Sequence, residues 1–341
     1  MAEVIPLVIL PGKGIEVLDQ TLLPGEERYL SLNDVAGVCE AIRTLRVRGA
    51  PLLGLVGAAG MAIAAMSRGS DGATLAASAA ELIATRPTAV DLGTAVRAAM
   101  SEAIAATADE RQERLWRFAG AYAERRREED LAMATFGQAL FDHPISVLTH
   151  CNTGALATGG IGTALGVIRT AWEQGEIEHV YATETRPLLQ GARLTIWELQ
   201  RLGIPATLLP DTAAASLLAS GRVQTVITGA DRVALNGDTA NKVGTYGLAA
   251  VAARHAVPFV IAAPTSTFDP ACNDGAGIPI EFRTDSEVGG FGEQRWSPPG
   301  TPAYNPAFDV TPAELIAAIV TERGLLRPPY WSAIRTMLGE L

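Results

Sequence analysis

Pro144-Ile-Ser-Val-Leu-Thr149-His150-Cys151-Asn152-Thr153-Gly154 is the stretch at which this chain changes period. Its apolar, β-branched run reads as a strand, and a helix is expected after Gly154. Runs of the same kind recur downstream in His179-Val-Tyr181, Val223-Gln-Thr-Val-Ile-Thr228 and Val257-Pro-Phe-Val-Ile261, with helical stretches between them. Strands alternating with helices predict a parallel sheet covered on both faces, with ligands bound beyond the carboxyl ends of the strands. Chemistry is therefore to be sought in the residues just after each run.

Upstream, from about residue 31 to 138, the pattern is helical and Ala-rich, as in Asp34-Val-Ala-Gly-Val-Cys39-Glu-Ala-Ile-Arg43. Residues 109–130, dense in charge, read as a long amphipathic helix with a solvated face rather than as a binding site. The first residues, Met1 to Leu10, end at Pro11-Gly12 and fit a strand better than a signal peptide. Near the other end, residues 285–306 are rich in Gly and Pro and read as a loop. Thr311-Pro-Ala-Glu-Leu315 has the form of a helix start, with Thr311 as N-cap and Pro312 at the first helical position. The expected fold class is α/β: a mainly helical domain over 1–138, opened by a short β segment, then a Rossmann-like parallel-sheet domain over 139–341.

The whole chain sets bounds on function. Its 341 residues suit two domains of roughly 100–200 residues each. A hydrophobic share of 48% and a charged share of 19% describe a globular chain with a large core. The formal charge of −10 works against non-specific attraction to nucleic acid or an anionic membrane, so an anionic ligand must meet local cations. No apolar stretch reads as long and pure enough to span a bilayer. Cys39, Cys151 and Cys272 are an odd, scattered set with no CxxC pair, which argues against a disulfide framework or structural zinc and for a reducing cytoplasm.

Cys151 lies between a strand end and an expected helix start, where backbone dipoles can lower a thiol pKa; the competing reading is a small core hydrophobe, with His150 structural. Asp231, closing Val226-Ile-Thr-Gly229-Ala-Asp231, faces the expected crevice with apolar neighbours that favour a protonated carboxyl; a turn-capping Asp is the alternative. Asn241 and Lys242 follow shortly, and Lys242 alone reads equally well as a surface lysine. Arg48, with the N–H groups of Gly49 and Ala50 at the start of an apolar helix, can receive a phosphate, and Arg86 and Gln190 add donors. The glycines of Gly160-Ile-Gly162-Thr-Ala-Leu-Gly166 lie too far past the strand for a dinucleotide fingerprint and read instead as packing a helix onto the sheet.

In order along the chain, Leu18-Asp-Gln-Thr-Leu-Leu-Pro24, Arg48-Gly-Ala-Pro51, Arg86-Pro-Thr-Ala-Val90, Thr149-His-Cys-Asn-Thr-Gly-Ala-Leu-Ala-Thr158, Glu184-Thr-Arg-Pro187, Gly229-Ala-Asp-Arg232 and Asn305-Pro-Ala-Phe-Asp-Val-Thr-Pro312 resemble the methylthioribose-1-phosphate isomerase family. That family is related to the regulatory subunits of the eukaryotic initiation-factor nucleotide exchanger, and the resemblance spans nearly the whole chain. It implies a homodimeric aldose–ketose isomerase that converts 5-methylthioribose 1-phosphate to 5-methylthioribulose 1-phosphate in methionine salvage. Cys151 and Asp231 would be its catalytic pair. Arg48, Gly49, Ala50, Arg86, Gln190, Asn241 and Lys242 would bind substrate. No cofactor or metal is expected, and no nucleic-acid or membrane partner. Thr183, Ile161 and Asp91 depart from the family pattern, which has Asp, an aromatic residue and Asn at these places. Isomerases of 5-deoxyribose 1-phosphate or ribose 1,5-bisphosphate, and a non-catalytic regulatory subunit, remain alternatives.

Overall fold

The computed structural model describes residues 3–86 and 89–339. Two compact units emerge: residues 3–130 with Gly154–Gly162, and Leu131–Thr153 with the chain from Thr163 onward.

The first unit opens with an antiparallel meander of β1 (Leu7–Leu10), β2 (Gly14–Leu18) and β3 (Tyr29–Leu32). Helices α1 (Val35–Arg43), α2 (Ala50–Ser67), α3 (Gly72–Ala84), α4 (Val90–Ile104) and α5 (Arg111–Gly137) follow. Among the described residues α2 is the one helix long and apolar enough to cross a membrane by length and composition, contrary to the expectation from sequence that no stretch qualifies. Its 18 residues are 78% buried inside the fold, so its all-round apolar surface is that of a central core helix. The Leu18–Pro24 segment is a tie: Asp19 accepts from the Thr21 N–H and hydroxyl and pairs with Arg46, and Gln20 Nε2 donates to the Leu156 carbonyl at 2.8 Å. Leu156 lies in α6 (Ala155–Thr158).

Two charges of the 109–130 run do not join a solvated face. Arg126 is buried and pairs with Glu129 at 2.6 Å, and Asp130 is buried where it accepts from the Thr158 hydroxyl at 2.6 Å and the Gly162 N–H at 2.9 Å. Burial raises the Asp130 pKa. The same contacts correct the reading of the glycines: the Gly160 and Gly162 N–H groups serve Thr158 and Asp130, and only Gly166 lies in the following helix, α7 (Ala164–Glu173).

The second unit carries β4 (Ile145–Thr149), α7, β5 (Ile177–Thr183), α8 (Ile196–Leu202), β6 (Ala206–Leu209), α9 (Ala214–Ala219), β7 (Thr225–Thr228), β8 (Arg232–Val233), β9 (Thr239–Lys242), α10 (Thr245–Arg254) and β10 (Phe259–Ala262). It continues through α11 (Asp285–Gly289), β11 (Gly290–Phe291), β12 (Gln294–Arg295), β13 (Phe308–Thr311), β14 (Ala318–Thr321), β15 (Gly324–Leu326) and α12 (Tyr330–Leu338). The main sheet has the order β15-β14-β10-β7-β4-β5-β6, all parallel except the edge strand β15. Side chains of each strand alternate between two cores: Phe259 and Ile261 join Leu148, Val226 and Ile319 on one face, while Val260 and Ala262 join Val147, Ile227 and Val320 on the other. This is the doubly covered parallel sheet expected from the strand pattern.

Two local readings change. Thr311 ends β13, and residues 313–315 form a single 3-10 turn rather than an α-helix, because β13 must pair with β9 and the chain must then enter the buried strand β14. The 285–306 segment is part-ordered: α11 and the β11–β12 hairpin lie in it, and Arg186 anchors it by donating to the Val288 carbonyl at 2.7 Å and stacking on Trp296.

Candidate active site

Strand order indicates where a site is to be sought. The chain builds β4, β5 and β6 outward in one direction, then returns to lay β7, β10 and β14 on the other side of β4. The switch point therefore lies between β4 and β7, and in open sheets of this kind ligands bind beyond the carboxyl ends of the strands at such a point. Cys151 follows β4 and Asp231 follows β7. The helix expected right after Gly154 is only the single turn α6, and α7 begins at Ala164, so no long helix starts beside Cys151 in the chain.

Hydrogen bonds draw the predicted residues of this unit together. His150 is fully buried, with Nε2 at 3.0 Å from the Val243 carbonyl and Nδ1 at 2.6 Å from the Thr183 hydroxyl. Burial pushes its imidazole below the ordinary 6.5, against the pull of Asp211 and with the push of Lys242. A carbonyl oxygen only accepts, so the neutral ring carries its proton on Nε2 and Thr183 donates to Nδ1. The Nε2 bond to the Val243 carbonyl ties the residue before Cys151 to the residue after Lys242. Lys242 is no surface lysine: it is 7% exposed in β9, donates to the Ala307 carbonyl at 2.7 Å and lies 4.9 Å from the Phe308 ring centroid. Asn241 beside it is buried and bonds Thr245. Asp231 is half-buried, and its N–H donates to the Ala240 carbonyl at 2.9 Å, which pins it next to Asn241 and Lys242.

Cys151 has a left-handed backbone, φ 65°, and so does Thr185, φ 64°. Each such residue costs about 1–3 kcal/mol and persists only where its surroundings hold it, a pattern that concentrates at functional sites. The Cys151 N–H donates to the Thr185 hydroxyl at 2.9 Å, and its carbonyl accepts from the Thr195 hydroxyl at 2.6 Å. Thr195 closes a π-helical turn, Gly191–Thr195, an arrangement frequent at functional sites. The buried Gln190 immediately precedes that turn, and its Oε1 accepts no hydrogen bond among the described residues.

The other predicted residues belong to the helical unit. Half-buried Arg48 precedes α2, and Gly49 is its N-cap at φ 94°, where a Cβ would meet the Ala157 carbonyl oxygen at 2.5 Å. Pro51 in the first turn leaves the Ala50 end of the helix with N–H groups outside the helical ladder. Arg86 is half-buried just after α3, while Pro87 and Thr88 of the same motif lie outside the described residues. Sequence reading passed over Thr195 and Asp211. Thr195 sits in a helical stretch, where a hydroxyl gives no periodic signal. Asp211, after β6, accepts from the Thr185 and Arg186 N–H groups at 2.7 Å each, a role for which a lone carboxylate after a strand gives no local signal.

Among the described residues no three His, Cys, Asp or Glu side chains gather as a metal site. None of the three cysteines is joined in a disulfide.

The profile of the Initiation factor 2 subunit family matches residues 46–328. The chain is 51% identical over 335 residues to the methylthioribose-1-phosphate isomerase of Thioalkalivibrio sulfidiphilus, covering 96% of this chain and 95% of that one. The crystal structure of 5-methylthioribose 1-phosphate isomerase from Pyrococcus horikoshii superposes with a TM-score of 0.93 at 35% identity, over 99% of this chain and 97% of the other. That of the translation initiation factor eIF-2B, subunit delta, from A. fulgidus gives 0.88 at 39% identity, over 99% and 100%. With the switch-point site and these matches together, the chain belongs to the initiation factor 2 subunit family, within which its extensive likenesses include methylthioribose-1-phosphate isomerases.

Proposed function

We propose that this protein is an aldose–ketose isomerase acting on an aldose 1-phosphate, with 5-methylthioribose 1-phosphate as substrate and methionine salvage as its setting. The observation that carries the reading is a thiol and a carboxyl, Cys151 and Asp231, beyond adjacent parallel strands at the switch point. A purely regulatory subunit has no need of both.

The substrate is locked as a cyclic acetal by its anomeric phosphate, so the enzyme has to open the ring itself. Asp231, protonated, gives its proton to the ring oxygen as the bond from C1 to that oxygen breaks. Cys151 as thiolate takes the C2 proton, and the electron pair left behind forms the C1=C2 double bond of an enediol-type phosphate. The Cys151 thiol then returns its proton to C1 while the C2 hydroxyl loses its own to Asp231. The ketose forms, and both groups regain their starting states. A hydride shift from C2 to C1 is the rival route; solvent deuterium appearing at C1 favours the enediol and its complete absence favours the shift.

The phosphate is assigned to Arg48, the Gly49 and Ala50 N–H groups, Arg86, Gln190 and Lys242, which supply cationic and neutral donors to an anion, and Asn241 to the substrate. The homodimer and the cytoplasmic location belong to the same proposal. A monomeric mass by light scattering would remove the dimer.

An NMR assay with three sugars tests the substrate. Losing a methylthio group from an apolar pocket costs only about 1–3 kcal/mol, so 5-deoxyribose 1-phosphate should react less well but measurably. Ribose 1,5-bisphosphate demands further cations and should be poor. A clear preference for the bisphosphate would overturn the assignment, and no turnover of any of the three would return the chain to the binding class.

A further inference from the structure

The Glu184-Thr-Arg-Pro187 motif has no place in the chemistry above, yet Thr185 is fully buried and shares with Cys151 the left-handed backbone. Its hydroxyl accepts from the Cys151 N–H at 2.9 Å and donates to the Thr183 carbonyl at 3.2 Å. Behind it, the two oxygens of Asp211 take the N–H groups of Thr185 and Arg186, which holds the Thr185 backbone in its unusual conformation. On the other side of Cys151 the buried Thr195 hydroxyl donates to the Cys151 carbonyl and accepts from Asn152 Nδ2 at 3.3 Å, and Asn152 in turn donates to buried Glu198 at 2.7 Å.

The two threonines come from one compact piece of chain. The π-helical turn that ends in Thr195 packs so closely on the strand end that a Cβ at Gly191 would lie 1.7 Å from the Thr183 carbonyl oxygen and 2.9 Å from the Thr185 hydroxyl. Only glycine allows that approach.

We infer that Thr185 and Thr195 are positioning residues that clamp the Cys151 backbone at its N–H and its carbonyl, and so fix the direction in which the thiol leaves the end of β4. This rests on Cys151 being the base. A residue in the left-handed region has an easier extended alternative, and relaxing to it would swing the thiol away from a bound sugar. Both bonds oppose that rotation. They act on the backbone rather than the sulfur, so their loss should reduce kcat far more than it raises KM.

The test pairs Thr185→Val, which removes the hydroxyl and keeps the shape, with Thr185→Ser, which keeps the hydroxyl. Displacement of a reacting group by an ångström or so can lower rate about 100-fold, so Thr185→Val should lose roughly 10- to 100-fold in kcat with KM within about threefold, and Thr185→Ser should restore most of it. Iodoacetamide alkylation of Cys151, followed by mass spectrometry of its own peptide across pH, should change in the Val variant and return in the Ser variant. Wild-type kcat and a wild-type alkylation profile in Thr185→Val would overturn the clamp. Should that variant not fold, Thr195→Val and Thr195→Ser read the same quantities from the carbonyl side. An altered alkylation profile alongside full turnover by Cys151→Ser would sustain the clamp and refute Cys151 as base; an inactive Cys151→Ser with an unaffected Thr185→Val would do the reverse.

Discussion

Acidification should weaken this protein through one buried imidazole, and His150→Gln isolates the effect. Folded His150 is held neutral by burial below its ordinary 6.5, whereas the unfolded chain protonates it near that value. Below pH 6.5 the unfolded state therefore binds one more proton than the folded one, so stability is present above the unfolded pKa and is lost as pH falls. The slope is about 1.4 kcal/mol per pH unit, or about 2 kcal/mol between pH 6.5 and 5 while the folded ring stays neutral. Gln keeps a donor for the Val243 carbonyl but takes away the 2.6 Å acceptor of the buried Thr183 hydroxyl and leaves it only the longer contact with Thr185 Oγ1 at 3.3 Å, a loss of about 1–3 kcal/mol at pH 7. The wild type should start the more stable and the gap should narrow on acidification, as read by urea unfolding of both proteins from pH 7 to 5. In parallel, the imidazole resonance missing from the variant should stay flat over that range. A gap that does not change with pH, or a His150 resonance that titrates between pH 6 and 7, would refute the buried neutral assignment.

Cys151→Ser and Asp231→Asn should each lower kcat by at least ~100-fold with the fold intact, and near wild-type turnover in either removes that residue from the mechanism. Arg48→Ala and Lys242→Ala should raise KM by roughly tenfold or more, since a hydrogen bond to a charged group contributes about 1.5–3 kcal/mol; unchanged KM in both would put the phosphate elsewhere. Gly49→Ala, with its Cβ 2.5 Å from the Ala157 carbonyl oxygen and a φ of 94°, should lower stability by more than about 1 kcal/mol, and an unaltered melting temperature would show that the Gly49 approach to α6 is easily relaxed.

The sheet was legible because its strands are buried on both faces and read as continuous β-branched runs, and the two ends that matter, at Cys151 and Asp231, follow such runs directly. Lys242 was not legible as a buried residue. Asn236-Gly-Asp-Thr-Ala-Asn-Lys242 looks like a polar loop, and what makes part of it a strand is pairing with β13, whose Phe308 stands opposite Lys242. Thr311 misled for the complementary reason: Thr-Pro-Ala-Glu is a sound local helix start, overridden because β13 and β14 have partners far away in the chain. The charge run in α5 hid Asp130 in the same way, since nothing in the local pattern tells which charge faces Thr158 and Gly162. Long-range pairing decided each of these cases, and a single sequence records it only faintly.

The three departures from the family pattern take on separate meanings once their surroundings are known. A carboxylate at position 183 would accept from His150 Nδ1, and with Nε2 already donating to the Val243 carbonyl the ring would have to be an imidazolium. Thr183 donates instead, so this chain holds neither the anion nor the cation. Asp91 has the opposite effect in the helical unit, where it adds a buried negative charge that supports the protonated guanidinium of buried Arg126. Ile161 is half-buried and changes side-chain shape without changing charge. On the proposed reading the consequence falls on Lys242: with Thr183 and a neutral His150, it faces neither an opposing imidazolium nor a carboxylate that would compete with a dianionic phosphate.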